Sequence, residues 1–251
     1  MNLIAWLQGG TLALALGRPP VGISEPPFPV TASPLESTPT EEAPAPNADP
    51  FPSRTYGNLE DAACLLALEE RGVSFERYGH ARGVKTPVRL LGPLHGVRFI
   101  HADIEDWLTS ARREVLDCRL VLALDDLADL VAKHGVTTVV HYGVYRGDLP
   151  LPKHGRPLHH VAALAIDVAA FEKADGTRLE VKRDWPGHTV GHTCEQPAAT
   201  KDDRAGELYS VLCDVAHEKI FHQVLTPNHD AKHRDHFHLE VMRDTSWTLL
   251  Q

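Results

Sequence analysis

The chain has 251 residues, 43% hydrophobic and 24% charged, with a formal net charge of −9. This is ordinary globular composition with an acidic balance, and it argues against a nucleic-acid-binding protein, which needs a basic face. Histidine is in excess, with 16 in the chain and six of them between His217 and His238, so the composition points to a metal or acid–base site.

Residues 1–16 are mostly apolar but too short to cross a bilayer, which takes roughly 20 residues. They read as a signal peptide, with Ala13-Leu14-Ala15 as its cleavage signature, or as a disordered start, since no Lys or Arg precedes the apolar run. Residues 17–54 hold most of the prolines, eleven of nineteen lying between Pro19 and Pro52. This stretch has few large apolar residues and reads as a disordered linker. An apolar start followed by such a linker suits a periplasmic or secreted protein better than a cytoplasmic one. No other segment suggests an integral membrane span. Residues 55–251 are then the folded domain.

Within that domain, Asn58 is placed to cap a helix over Leu59 to Arg71 that Gly72 stops. A second helix fits Arg119 to His134, with Leu120, Leu124, Leu127 and Val131 on one stripe and Gly135 at its end. Val136 to Tyr142 is β-branched and reads as a strand. Leu164 to Phe171 alternates, and Asp175-Gly176 turns it back into Thr177 to Lys182 as a hairpin. A helix over Asp203 to Glu218 and strands at Phe221 to Leu225 and His236 to Met242 complete the pattern. The fold class is α+β, a small antiparallel sheet with helices packed on it.

Cys64, Cys118, Cys194 and Cys213 form no CxxC pair, so a cysteine zinc site is not expected. The preferred pairing is Cys64 with Cys118 and Cys194 with Cys213. The competing reading is four buried free thiols.

The most informative segment is His233-Arg234-Asp235-His236-Phe237-His238-Leu239-Glu240. Strand alternation puts His236, His238 and Glu240 on one face and Phe237, Leu239 and Val241 on the other. A polar edge strand with solvated histidines is the bland alternative. Asp167 lies inside an apolar strand seven residues after His160, where a buried carboxylate needs a partner or a metal. A wet sheet face is the alternative there. Two histidines and one carboxylate make an open zinc site of catalytic type. Zinc would acidify its water and polarise a carbonyl, with Asp235 taking the proton.

His160-(six residues)-Asp167 followed by His233-x-Asp235-His236-x-His238 resembles the LAS group of zinc peptidases, which includes the D-Ala-D-Ala carboxypeptidases and murein endopeptidases. A closer resemblance is to the bacterial extensin-like C-terminal domain family. It is carried by Leu116-Asp117-Cys118-Arg119-Leu120, His134-Gly135-Val136, Tyr145-Arg146, Ala165-Ile166-Asp167-Val168 and Leu225-Thr226-Pro227-Asn228 through Leu239. The resemblance implies a LAS-peptidase-like fold, with His160, Asp167 and His238 as Zn²⁺ ligands. It implies Asp235 as general base, His236 as transition-state stabiliser, His233 as a substrate-side group and Arg146 as a carboxylate or oxyanion clamp. The chain departs from the related peptidases at Leu158, where they carry Ser or Thr, and at Ala163, where they carry Gly. A glycine permits positive φ, so Ala163 bears on the loop's shape. His159 competes with His160 as ligand, but the spacing to Asp167 favours His160.

The resemblance thus implies a monomeric peptidase acting on peptidoglycan peptides. The alternatives are a non-catalytic cell-wall binding or structural module of the same fold, and a cytosolic metallohydrolase if the N-terminus is not exported.

Overall fold

The computed structural model describes residues 51–150, 159–187, 193–195 and 202–251. The apolar N-terminal segment, nearly all of the proline-rich stretch and Leu158 lie outside the described residues. The elements run α1 (Pro52–Asn58), α2 (Asp61–Glu70), β1 (Phe75–Arg77), β2 (Pro87–Leu90), β3 (Arg98–His101), α3 (Trp107–Arg113), β4 (Leu116–Asp117), α4 (Cys118–Lys133) and β5 (Val136–His141). A 3-10 turn (His159–Ala162) then leads to β6 (Ala165–Lys173), β7 (Arg178–Glu180), α5 (Val181–Asp184), α6 (Asp203–His217), β8 (Gln223–Leu225), β9 (Phe237–Glu240) and β10 (Leu249–Leu250).

The class is α+β, and the main sheet is larger than expected and mixed. Its order is β10-β8-β9-β6-β5-β3, with β7 also paired to β6. The interior pairs are antiparallel, whereas β3 runs parallel to β5 and β10 parallel to β8 at the two edges. A parallel pair needs a long crossover, and between β3 and β5 the chain passes through α3, β4 and α4. No local alternation announces such a pairing. The second sheet, β1-β2-β4, also went unforeseen, because its strands are at most four residues long.

Helix α4 runs through the core. Its expected stripe, Leu120, Leu124, Leu127 and Val131, is fully buried, and so are Val121, Leu122 and Ala123 around the rest of its first turns. The stretch from Cys118 to Leu124 is buried on every side and so has neighbours all round, while Asp129 and Lys133 are exposed further along. The neighbours of the helix are α1, α2, α6 and β5. Asp117 caps α4, accepting from the Arg119 backbone N–H and pairing with the fully buried Arg119 side chain at 2.8 Å. Gly135 ends the helix at φ +78° and Gly72 ends α2 at φ +70°, a region where only glycine sits without strain.

One cap is reassigned. Asn58 is the last residue of α1, and the N-cap position of α2 is Glu60. The Asn58 amide instead donates to the Arg54 carbonyl and accepts from the Asp244 backbone N–H. Helix α1 also takes in Pro52, Ser53 and Arg54, on the linker side of the boundary expected at 55.

Both preferred disulfides are present. Cys64–Cys118 ties α2 to α4, and Cys194–Cys213 ties the segment before α6 to α6 itself. No free cysteine remains. No helix among the described residues is long and apolar enough to cross a membrane.

Candidate metal centre

The centre is built on β6 and β9. Ala165 to Phe171 are buried along β6, so the strand has core on both faces. In the register between the two strands, Asp167 stands directly opposite His238. Phe237, Leu239 and Val241 point to the apolar side and are at most 1% exposed, which anchors β9 in the expected phase. His238 and Glu240 occupy the other side and are buried as well. The bland alternatives, solvated histidines on β9 and a wet face at Asp167, therefore do not hold at these positions.

His160 comes from the 3-10 turn. Two backbone distortions bracket it, His159 at φ +39° and Ala163 at φ +53°. Ala163, the position at which the sequence resemblance leads one to expect Gly, has the positive φ that a glycine takes most readily. An L-residue in this region costs roughly 1–2 kcal/mol. The methyl group of Ala163 is fully buried in the core cluster, which offsets part of that cost. Ala163 thus carries strain at the end of the turn that presents His160.

Three ligand-type atoms converge. His160 Nε2 lies 3.1 Å and His238 Nδ1 3.0 Å from the same Asp167 oxygen, Oδ1. All three atoms fall within 4.8 Å of one another. Tetrahedral zinc with bonds of about 2.0–2.2 Å sets its ligand atoms roughly 3.3 Å apart, so the donors fit zinc in kind, and the two imidazole–carboxylate spacings are close to that value. The far nitrogen of His160 adds a second sign. Nδ1 is 2.9 Å from the Val144 carbonyl, which can only accept, so it carries the proton. In the neutral ring, Nε2 is then a lone pair aimed at a carboxylate. That arrangement needs a proton or a cation between the two.

The electrostatics agree. Burial alone would raise the Asp167 carboxyl, but hydrogen bonds from His160 and His238 and the nearby imidazole charges hold it well below the usual carboxylate range. Burial would depress His238, yet its contacts with Asp167 and Glu240 lift it to about 9. The Arg146 guanidinium donates to the other Asp167 oxygen, Oδ2, at 3.0 Å, and its backbone N–H donates to the His160 carbonyl.

His236 precedes the strand instead of starting it. Its Nδ1 meets Asp235 Oδ1 at 2.9 Å, while its Nε2 lies 3.5 Å from Asp167 Oδ1. Asp235 therefore stands behind His236, not at the centre itself. His233 faces the same space, with its ring 5.3 Å from that of His236 and 5.8 Å from that of His238. All seven expected site residues thus gather at one place, with Asp235 reaching it through His236. A solvent-open cleft of about 580 Å³ leads in, and Arg146, Lys232, His233 and His236 are among the residues lining it.

Several partners were not anticipated. Glu240 contacts both His159 and His238, and Asp230 accepts from His233 Nδ1 at 2.7 Å. The alternation His236-x-His238-x-Glu240 carried a signal for Glu240, and the i, i+3 spacing carried a weaker one for Asp230. Nothing local marks the Val144 carbonyl.

No curated protein and no solved structure matches the chain. The family described as extensin-like protein C-terminus matches residues 62–251, from the second residue of α2 to the last residue and including every residue of the centre. The chain is therefore a member of the extensin-like protein C-terminus family.

Proposed function

We propose that the protein is a zinc-dependent peptidase that hydrolyses peptide bonds of bacterial cell-wall peptidoglycan, akin to the LAS group. The observation that carries this reading is the meeting of His160 Nε2, Asp167 Oδ1 and His238 Nδ1 at a buried point at the end of an open cleft. His160, Asp167 and His238 would hold the zinc, which would supply a Lewis acid able to polarise a carbonyl and acidify a water.

The chain's own residues supply the rest. His236 presents Nε2 to the centre and is held from behind by Asp235. The two act as a coupled base, in which the imidazole takes the proton and the carboxylate stabilises the resulting charge. His233, backed by Asp230, stands on the cleft side, placed to hand a proton to a leaving amine. Arg146 and Lys232 give the cleft two cations, which suit a peptide bearing a free carboxylate. The two disulfides suit an oxidising compartment, in keeping with a periplasmic or secreted enzyme.

The direct test is digestion of purified peptidoglycan by the zinc-loaded protein, read by mass spectrometry. Release of D-Ala or of a cut muropeptide supports the peptidase. A protein that holds zinc and binds the sacculus without cutting it is instead the non-catalytic wall module.

A further inference from the structure

Glu240 has no place in the proposed ligand set, yet it is one of the most buried carboxylates in the protein, 1% exposed. Its Oε2 lies 3.4 Å from His238 Nε2 and also meets His159 Nδ1. His238 is therefore gripped from both sides, Nδ1 on Asp167 and Nε2 on Glu240.

A neutral imidazole has one lone pair. His238 can offer it to a cation beside Asp167, or to one beside Glu240, where His159, His238 and Glu240 form a second cluster of ligand-type atoms. His160 decides between them. The Val144 carbonyl already aims its free nitrogen at Asp167, so the Asp167 side has three donors in place. The Glu240 side then receives the N–H.

We infer that Glu240 is a positioning residue, fixing His238 with Nε2–H on the carboxylate and Nδ1 toward Asp167, and that His159 holds Glu240 in turn. This rests on the zinc reading above. It assigns His159 a role as a clamp on the carboxylate. The left-handed backbone at His159 is what lets consecutive histidines face different carboxylates, His159 toward Glu240 and His160 toward Asp167. Such outer partners orient a ligand and raise its basicity, and losing one typically lowers metal affinity 10–100-fold.

The test measures zinc affinity by competition with a chromophoric chelator for the wild type, Glu240→Gln and His159→Ala, with ¹⁵N NMR of the His238 ring in the zinc-loaded wild type. The expected result is one zinc per wild-type chain, with affinity about 10–100-fold weaker in Glu240→Gln and reduced by a smaller factor in His159→Ala. The NMR signature is zinc on Nδ1 and a protected proton on Nε2. Unchanged zinc affinity in both variants, or zinc on Nε2, overturns the inference and leaves the zinc reading intact. A wild type that takes up no zinc overturns that reading, and this inference with it. The wild-type NMR and the His159→Ala affinity decide the matter even where Glu240→Gln fails to fold, because the His159 side chain is 42% exposed.

Discussion

Asp167 and His238 face each other across the β6–β9 ladder, and His238 Nδ1 stands 3.0 Å from Asp167 Oδ1. The pair joins residues 71 positions apart, and His160 Nε2 completes the group on the same oxygen. The first prediction concerns these three residues. The purified protein should hold about one zinc per chain. His160→Ala, Asp167→Asn and His238→Ala should each lose most of it, as read by elemental analysis after dialysis. Full zinc content in all three would show that the metal lies elsewhere.

Asp235 and His236 make the second prediction. Asp235 reaches the centre through the His236 ring, and on the proposed coupled base Asp235→Asn and His236→Ala should keep zinc while lowering turnover by roughly 10²–10⁴-fold. The double variant should be little worse than either single one, since the two residues act as a unit. Fully additive losses in kcat would separate their roles.

Glu114 supplies a pH signature away from the centre. Burial raises its carboxyl from 4.5 to about 7, against the pull of the Val144 backbone N–H. Between those values the folded protein keeps a proton that the unfolded chain has released. The group's contribution to stability is therefore full below about pH 4.5 and is lost as pH rises through about 7. Glu114→Gln removes the loss. It should match the wild type near about pH 4 and exceed it by about 3 kcal/mol near about pH 8, by urea denaturation. Parallel pH profiles for the two proteins would refute the raised carboxyl.

The disulfides should differ in weight. Cys64–Cys118 closes 54 residues and Cys194–Cys213 closes 19. By chain entropy these contribute about 4 and about 3 kcal/mol. Denaturant midpoints of the paired Cys→Ser variants check the order, and a larger loss at the shorter loop would contradict it. Arg119 lies beside the longer loop's anchor at Cys118. It is fully buried on Asp117, so reduction there loosens the capped start of α4 and not a surface tether.

Much of this was legible from local pattern. The stripe of α4 and the apolar face of β9 are each written within one element, where a period of 3.6 or 2 shows which side chains share a face, and the Asp175-Gly176 turn and the HxDHxH spacing are written in a few consecutive residues. Ala163 is a similar case. Its position in the motif flagged a loop that wants positive φ, and the backbone has φ +53° there. Asn58 misled because a good capping residue also ends α1, and residue type does not say which helix it serves.

The sequence by itself determined the residue types of the centre and the phase of the strands that carry them. Tertiary structure decided how they are partnered. It set Asp167 against His238, stood Asp235 behind His236, gave Glu240 to His159 and His238, and put the Val144 carbonyl on His160. It also added the parallel edge strands. The reason is register. A strand's alternation shows which residues face together, but a neighbour's position along the ladder depends on how distant segments close into one sheet, and a one-residue slip would exchange every partner.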